Sequence, residues 1–169
     1  MNIFILDIDP DKSAMYHNDR HVVKMITEQN QIVCTALRSM IARNDLVLNE
    51  SLIPYRSTHT SHPCVKWASK YIGNIRWINQ RTRSLCHEYT YRYGKKHKGE
   101  DVLNQIESII PYQLWITPNK YPLAIPSNLS EGKTEVGLRT AIKLYRQYYI
   151  RDKRHLAKWK NRDVPEWWN

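Results

Sequence analysis

The chain has 169 residues, enough for one domain with a real core and too few for two, and its 41% apolar content argues for folding over disorder. With 26 Lys and Arg against 16 Asp and Glu, the net charge of +10 favours a polyanionic partner. Five glycines and no Walker loop, GxGxxG or GxSxG leave nucleotide hydrolysis and serine-hydrolase chemistry without a signature, so no cofactor is expected.

Asn2 to Asp7 reads as a short extended segment ended by Asp9-Pro10-Asp11. Its apolar run, Ile3 to Leu6, is too short for a secretory signal or a membrane span. From Lys12 to about Arg43 apolar residues (Val22, Met25, Ile26, Ile32, Val33, Ala36, Leu37, Met40) recur at helical steps, with a break expected near Asn18-Asp19 and Asp19 capping a helix from Arg20. Residues 44–62 form a polar connection. Pro63 then suits a first helical position, with Ser61 or His62 as cap, and the helix is expected to run to Gly94. A short helix from Glu100 to Ile109, an irregular stretch from Pro111 to Pro126 and a last helix from Thr134 to about Lys160 complete the chain. The expected fold is mainly α: one compact helical bundle over 1–169 with a short extended N-terminal segment. Cys34, Cys64 and Cys86 form no CxxC and read as reduced thiols, so a soluble, cytoplasmic chain is expected (the host's cytoplasm, if phage-encoded).

Two constellations stand out. His17, His21, Lys24 and Glu28 share one face if their helix is continuous, and imidazoles beside a cation and a carboxylate shift one another's pKa as active sites require. The plainer reading is a solvated stripe with a Lys24–Glu28 pair. His17 and His21 also have the spacing of a metal-binding pair, with Asp19, His59 or His62 as a third ligand, but HExxH is missing and no metal is assigned. The second constellation spans Arg139 to Trp168. Arg139, Lys143, Arg146, Arg151, Lys153, Arg154, Lys158, Lys160 and Arg162 interleave there with Tyr145, Tyr148, Tyr149, Trp159, Trp167 and Trp168. Cations neutralise phosphates and flat rings stack on exposed bases, so nucleic acid is the expected partner of this segment. Leu144, Tyr148 and Leu156 are expected to face the core instead. A further basic series, Arg76, Arg81, Arg83, Arg92, Lys95, Lys96 and Lys98, runs past the expected helix end at Gly94, where Lys95, Lys96 and Lys98 serve either a partner or the helix dipole.

At these residues the chain resembles the phage pyrimidine-dimer DNA glycosylases of the endonuclease V type. The likeness rests on Asp19-Arg20-His21 with Glu28 seven residues on, on His62-Pro63 opening a later helix, and on the Pro165-Glu166-Trp167-Trp168 ending. The resemblance implies a compact all-α fold inserted into a kinked duplex. It also implies a terminal α-amine that forms a Schiff base with the sugar C1′, assisted by a carboxylate. An α-amine with a pKa near 8 is usefully neutral at pH 7. Carried over, Asn2 supplies the amine, Glu28 the carboxylate, and Arg20 and His21 grip DNA. In the family a small residue follows the initiator Met and arginines flank the glutamate, whereas here Asn2 follows Met1, Thr27 precedes Glu28 and Gln31 follows it.

The leading expectation is therefore a DNA glycosylase with abasic-site lyase activity. Its catalytic residues would be Asn2, His21 and Glu28, and it would act as a monomer on distorted or modified duplex DNA. DNA contacts are expected from His17, Arg20, Lys24, His62, Lys95, Lys96, Lys98, Arg151, Lys153, Arg154, Lys158, Trp159, Lys160, Arg162, Trp167 and Trp168. A related alternative modifies phage DNA bases on the same scaffold, leaving an intact strand of higher mass. An alternative of another class is a DNA-binding protein without catalysis.

Overall fold

The computed structural model describes residues 1–110 and 117–168. Asp9 caps the first helix, α1 (Pro10–Tyr16), by accepting from the Asp11 and Lys12 amides, and Pro10 sits at the first turn where its missing N–H costs nothing. His17 leaves the helix in extended backbone, and Asn18 caps α2 (Asp19–Ala42). Asn18, one residue before the expected cap, does so through Oδ1, which accepts from the His21 amide at 2.9 Å. His62 caps α3 (Pro63–Ala68), as read from the sequence, and α4 (Ile72–Tyr93) ends on Gly94 in the left-handed conformation (φ 65°). α5 (Gly99–Ile109) follows. Then β1 (Tyr121–Pro122) pairs antiparallel with β2 (Glu135–Val136) around α6 (Ser127–Ser130), and α7 (Leu138–Asp152) closes the helical set.

Two helical spans differ from expectation. The helix from Pro63 breaks at Ser69–Tyr71, because the Asn74 side-chain amide donates to the Trp67 carbonyl (2.8 Å) and so caps α3 in place of another turn. α7 begins and ends inside its expected span. Glu135 and Val136 are taken by β1, and beyond Asp152 the chain folds back so that the Asp19 amide donates to Lys158 O (2.8 Å). The irregular stretch expected from Pro111 contains β1 at its far end, while 111–116 lie outside the described residues.

α2 and α4 are the principal packing pair, with α1, α3 and α5 against them. The N-terminal segment threads through this core, and Ile3, Phe4, Ile5 and Leu6 are all buried. It belongs to no sheet, so side chains satisfy its backbone. Gln29 donates to Ile3 O, Arg146 Nε to Leu6 O (2.8 Å), and Arg81 to the carbonyls of Asp7 and Ile8, while Ser13 Oγ accepts from the Leu6 amide. Arg81 and Arg146 thus brace the extended segment, and Arg146 is turned from the nucleic-acid contact expected of its segment. Among the described residues no helix is long and apolar enough to cross a membrane. All three cysteines are buried and unpaired.

Candidate active site

Threading the N-terminus through the bundle brings it to the middle of α2. The Asn2 main-chain nitrogen donates to Glu28 Oε2 at 2.9 Å, and the Met1 α-ammonium lies 3.9 Å from the same oxygen. Lys24, one turn earlier and largely exposed, reaches Glu28 Oε1 at 3.2 Å. Glu28 itself is buried, so its carboxylate meets the first residues of the chain and one lysine in place of bulk water. Asn2 cannot swing away: its Oδ1 accepts from the Ile3 and Phe4 amides, and its Nδ2 donates to Ala124 O at 2.7 Å. Phe4 then turns in a left-handed conformation (φ 47°) that a side chain rarely adopts. The turn lays its ring on His21, with centroids 4.6 Å apart.

The opposite wall is the loop before α3. Thr35, two turns beyond Glu28 on α2, bonds both polar groups of the Thr58 backbone and so ties the loop to the helix. His59 follows, exposed and also left-handed (φ 51°). His62, half-buried, accepts the Cys64 amide on Nδ1 at 3.2 Å. Burial, with the terminal ammonium beside it, holds the His62 ring below the usual imidazole range. Cys64 lies fully buried next to Ile3, and burial pushes its thiol up to about 12, so it is no nucleophile at neutral pH.

The face expected from His17, His21, Lys24 and Glu28 does not form as a unit. The break at Asn18 puts His17 outside α2, fully buried, with Nδ1 on the Ser13 carbonyl at 2.7 Å. Burial lowers its pKa to about 4. His21 is on α2, but its Nδ1 faces the Asn18 side-chain amide and the Tyr149 hydroxyl. Because Asn18 Oδ1 is already used by the His21 amide, its Nδ2 end points at the ring, and a nitrogen accepting there is unprotonated. Burial first, then the nearby charges of His17, Lys153, Lys24 and His155, lower the His21 pKa to about 3. Glu28 therefore meets the chain terminus and Lys24, while His17 and His21 serve the core. Among the described residues no three His, Cys, Asp or Glu side chains are grouped to hold a metal ion.

The tail separates its charges from its rings. Arg20, Lys95, Lys98, Arg151, Arg154, Lys158 and Lys160 are exposed, and Lys153 is partly so. Lys96 is exposed and paired with Asp101 at 2.6 Å. The chain reversal after α7 and the bond from Tyr93 Oη to Asp19 O carry Lys158, Lys160 and the Lys95–Lys98 end to the start of α2, beside Arg20. Lys24 on α2 and Lys153 at the end of α7 both lie near His21. The expected stacking platform fails, however: Tyr145, Tyr149, Trp159 and Trp168 are buried, and Trp167 packs between Tyr16 and Trp168. Leu144 and Tyr148 pack against the core as expected, but at its margin, where they are only partly buried. The 3.6-residue phase decides this: Ala141, Ile142, Tyr145 and Tyr149 form the inward stripe.

Arg162 is bound to protein. Its guanidinium makes two bonds to Glu88 (3.0 and 2.8 Å), which also accepts from Arg92 Nε at 2.6 Å. Arg92, with no exposed side-chain surface, spans to Asp19 Oδ1 at 2.9 Å and to Met15 O. Sequence reasoning missed Arg92, Glu88 and Asp19 as one network, and it missed the clamp of Asn2 on Ala124. Both join segments more than 70 residues apart, and no local spacing announces such pairs.

A family model described as pyrimidine dimer DNA glycosylase matches residues 1–101, which carry α1 to α4 and the start of α5. No curated protein and no solved structure matches the chain.

Proposed function

The chain belongs to the pyrimidine dimer DNA glycosylase family, and on that premise we propose that it excises DNA bases through a terminal α-amine working with Glu28, and that it also cleaves the resulting abasic site. The observation that carries this reading is the buried Glu28 carboxylate within 2.9 Å of the Asn2 nitrogen and 3.9 Å of the Met1 ammonium. If Met1 is removed, the Asn2 nitrogen becomes the α-amine at hydrogen-bond distance from Glu28. If Met1 stays, its own amine is the candidate. In both cases the neutral amine attacks C1′ as the bond from C1′ to the base breaks. The leaving base takes up a proton; the sugar's C1′–O4′ bond then opens, O4′ takes up the proton the amine gives up, and a ring-opened iminium remains. Loss of a C2′ proton then expels the 3′ phosphate. Glu28 offsets the positive charge that develops on the sugar and accepts the amine's proton.

His21 supports this arrangement indirectly, through Phe4 and the path of the N-terminal segment. The exposed cations Arg20, Lys24, Lys95, Lys98, Arg151, Arg154, Lys158 and Lys160, with the partly exposed Lys153, are proposed to neutralise phosphates of the bound DNA.

Borohydride trapping on abasic-site DNA, followed by mass spectrometry of the cross-linked peptide, tests the proposal. The expected adduct is on the first residue of the chain, and its mass tells whether that residue is Met1 or Asn2. An adduct on Lys24, which also touches Glu28, would keep the lyase and overturn the nucleophile.

A further inference from the structure

The amine reading admits two nitrogens, and the molecule presents them differently. The Asn2 nitrogen lies inside: the residue is 6% exposed, its N–H is given to Glu28 Oε2 at 2.9 Å, and its side chain is held by the Ile3 and Phe4 amides and by Ala124 O. While Met1 precedes it, this nitrogen is also an amide, its lone pair delocalised into the Met1 carbonyl, and is no nucleophile. Met1 is arranged the other way round. Its side chain is only 4% exposed and packs against the hydrophobic core, yet the residue as a whole is partly exposed. What Met1 shows to solvent is therefore main chain, and at a first residue that is where the α-amine lies. This nitrogen is 3.9 Å from Glu28 Oε2, near enough to pass a proton to the carboxylate after a small shift and not tied to it by a hydrogen bond.

We propose that Met1 is retained in the working protein, that its α-amine is the nucleophile, and that its buried side chain anchors this amine beside Glu28. The inference rests on the amine reading above and puts Met1 where Asn2 was expected. The first residues of a chain ordinarily fray, and an apolar side chain seated in the core removes that freedom. A displacement of about 1 Å from the reacting geometry can cost on the order of 100-fold in rate, so such an anchor acts on the chemistry. Initiator methionine is removed where a small residue follows it, and Asn2 is not small. Loss of Met1 would empty its niche and move the amine to a nitrogen that no sugar reaches unless Asn2 gives up its bonds. The bonds made and broken are those given above, with Met1 N as the attacking atom. N–C1′ forms, C1′–base and then C1′–O4′ break, and the amine's proton passes by way of Glu28 to O4′.

Two measurements test it. The intact mass of the purified protein is expected to include Met1, and borohydride trapping on abasic-site DNA is expected to leave the adduct on the Met1 nitrogen. A mass lacking Met1, or an adduct on Asn2, would overturn this inference and leave the amine reading standing. An adduct on Lys24, or none, would overturn both. The second measurement compares rates of adduct formation among proteins released from a cleavable fusion that leaves no foreign residue. A chain starting at Asn2 is expected to trap about tenfold or more slower than the parent, with abasic-DNA affinity within about threefold. Met1→Ala keeps an α-amine and loses the anchor, and is expected to slow by about tenfold. Met1→Leu refills the niche and is expected to return to within about threefold of the parent. The parental rate in the chain starting at Asn2 would take the nucleophile away from Met1. The parental rate in Met1→Ala, or no recovery in Met1→Leu, would remove the anchor.

Discussion

His17 and His21 show how far a residue's meaning depends on its surroundings. Their spacing on either side of a predicted break is plain in the sequence, but whether they look outward or inward is decided by Phe4, which turns back to stack on His21, and by Tyr149 from α7. Neither partner lies near them in the chain. Both rings are held neutral, with pKa values lowered to about 4 and about 3 from an ordinary 6.5, first by burial. Between pH 6.5 and those values the unfolded chain binds protons that the folded chain does not. Stability therefore falls as pH drops through this window, and above pH 6.5 the two histidines add no further pH dependence. At pH 5 the loss is about 2 kcal/mol for each ring. Urea unfolding at pH 7 and pH 5 should show this drop, and in His21→Phe the pH-dependent part should shrink by about half. An unchanged drop in that variant would mean that His21 is not buried neutral.

At the scale of elements, the apolar rhythm of α2, the Pro63 start, the Gly94 stop and α5 were all legible, because each is written in adjacent residues. The break between α3 and α4 was not, since Ser69-Lys70-Tyr71 contains no Gly or Pro and the stop is made by Asn74 reaching back to Trp67. The ends of α7 were lost for the same reason: β1 claims one end and Asp19 the other. Asp19 belongs to the network that joins α2, α4 and the tail through Arg92, Glu88 and Arg162. Removing Arg92 leaves Glu88 buried with less compensation. Arg92→Met is expected to cost about 3–5 kcal/mol in denaturant unfolding, as broken buried pairs do. A loss below about 1 kcal/mol would show that the tail is held by its tryptophans and not by this network.

For the whole molecule, charge was the part of the candidate site that the sequence displayed and position was the part it concealed. The +10 excess is visible at once. That Arg81, Arg92 and Arg146 turn inward to hold backbone or carboxylates, while Lys153, Lys158 and Lys160 gather beside α2, depends on the closed fold. So does the meeting of Asn2 with Glu28, 26 residues apart. If six or more phosphates are neutralised by the exposed set, DNA affinity should fall about a thousandfold between 50 and 200 mM salt. A flat response would assign the charge to another purpose. The match to the family ends at residue 101, so the tail beyond it is where DNA contacts particular to this chain are expected. The most direct test of the amine–carboxylate couple is Glu28→Gln, read as single-turnover base release beside DNA affinity. Neutralising one buried acid barely alters the phosphate contacts, so base release should fall by about a hundredfold or more while affinity stays within about threefold. Base release at the parental rate would remove Glu28 from the chemistry, and the proposed mechanism with it.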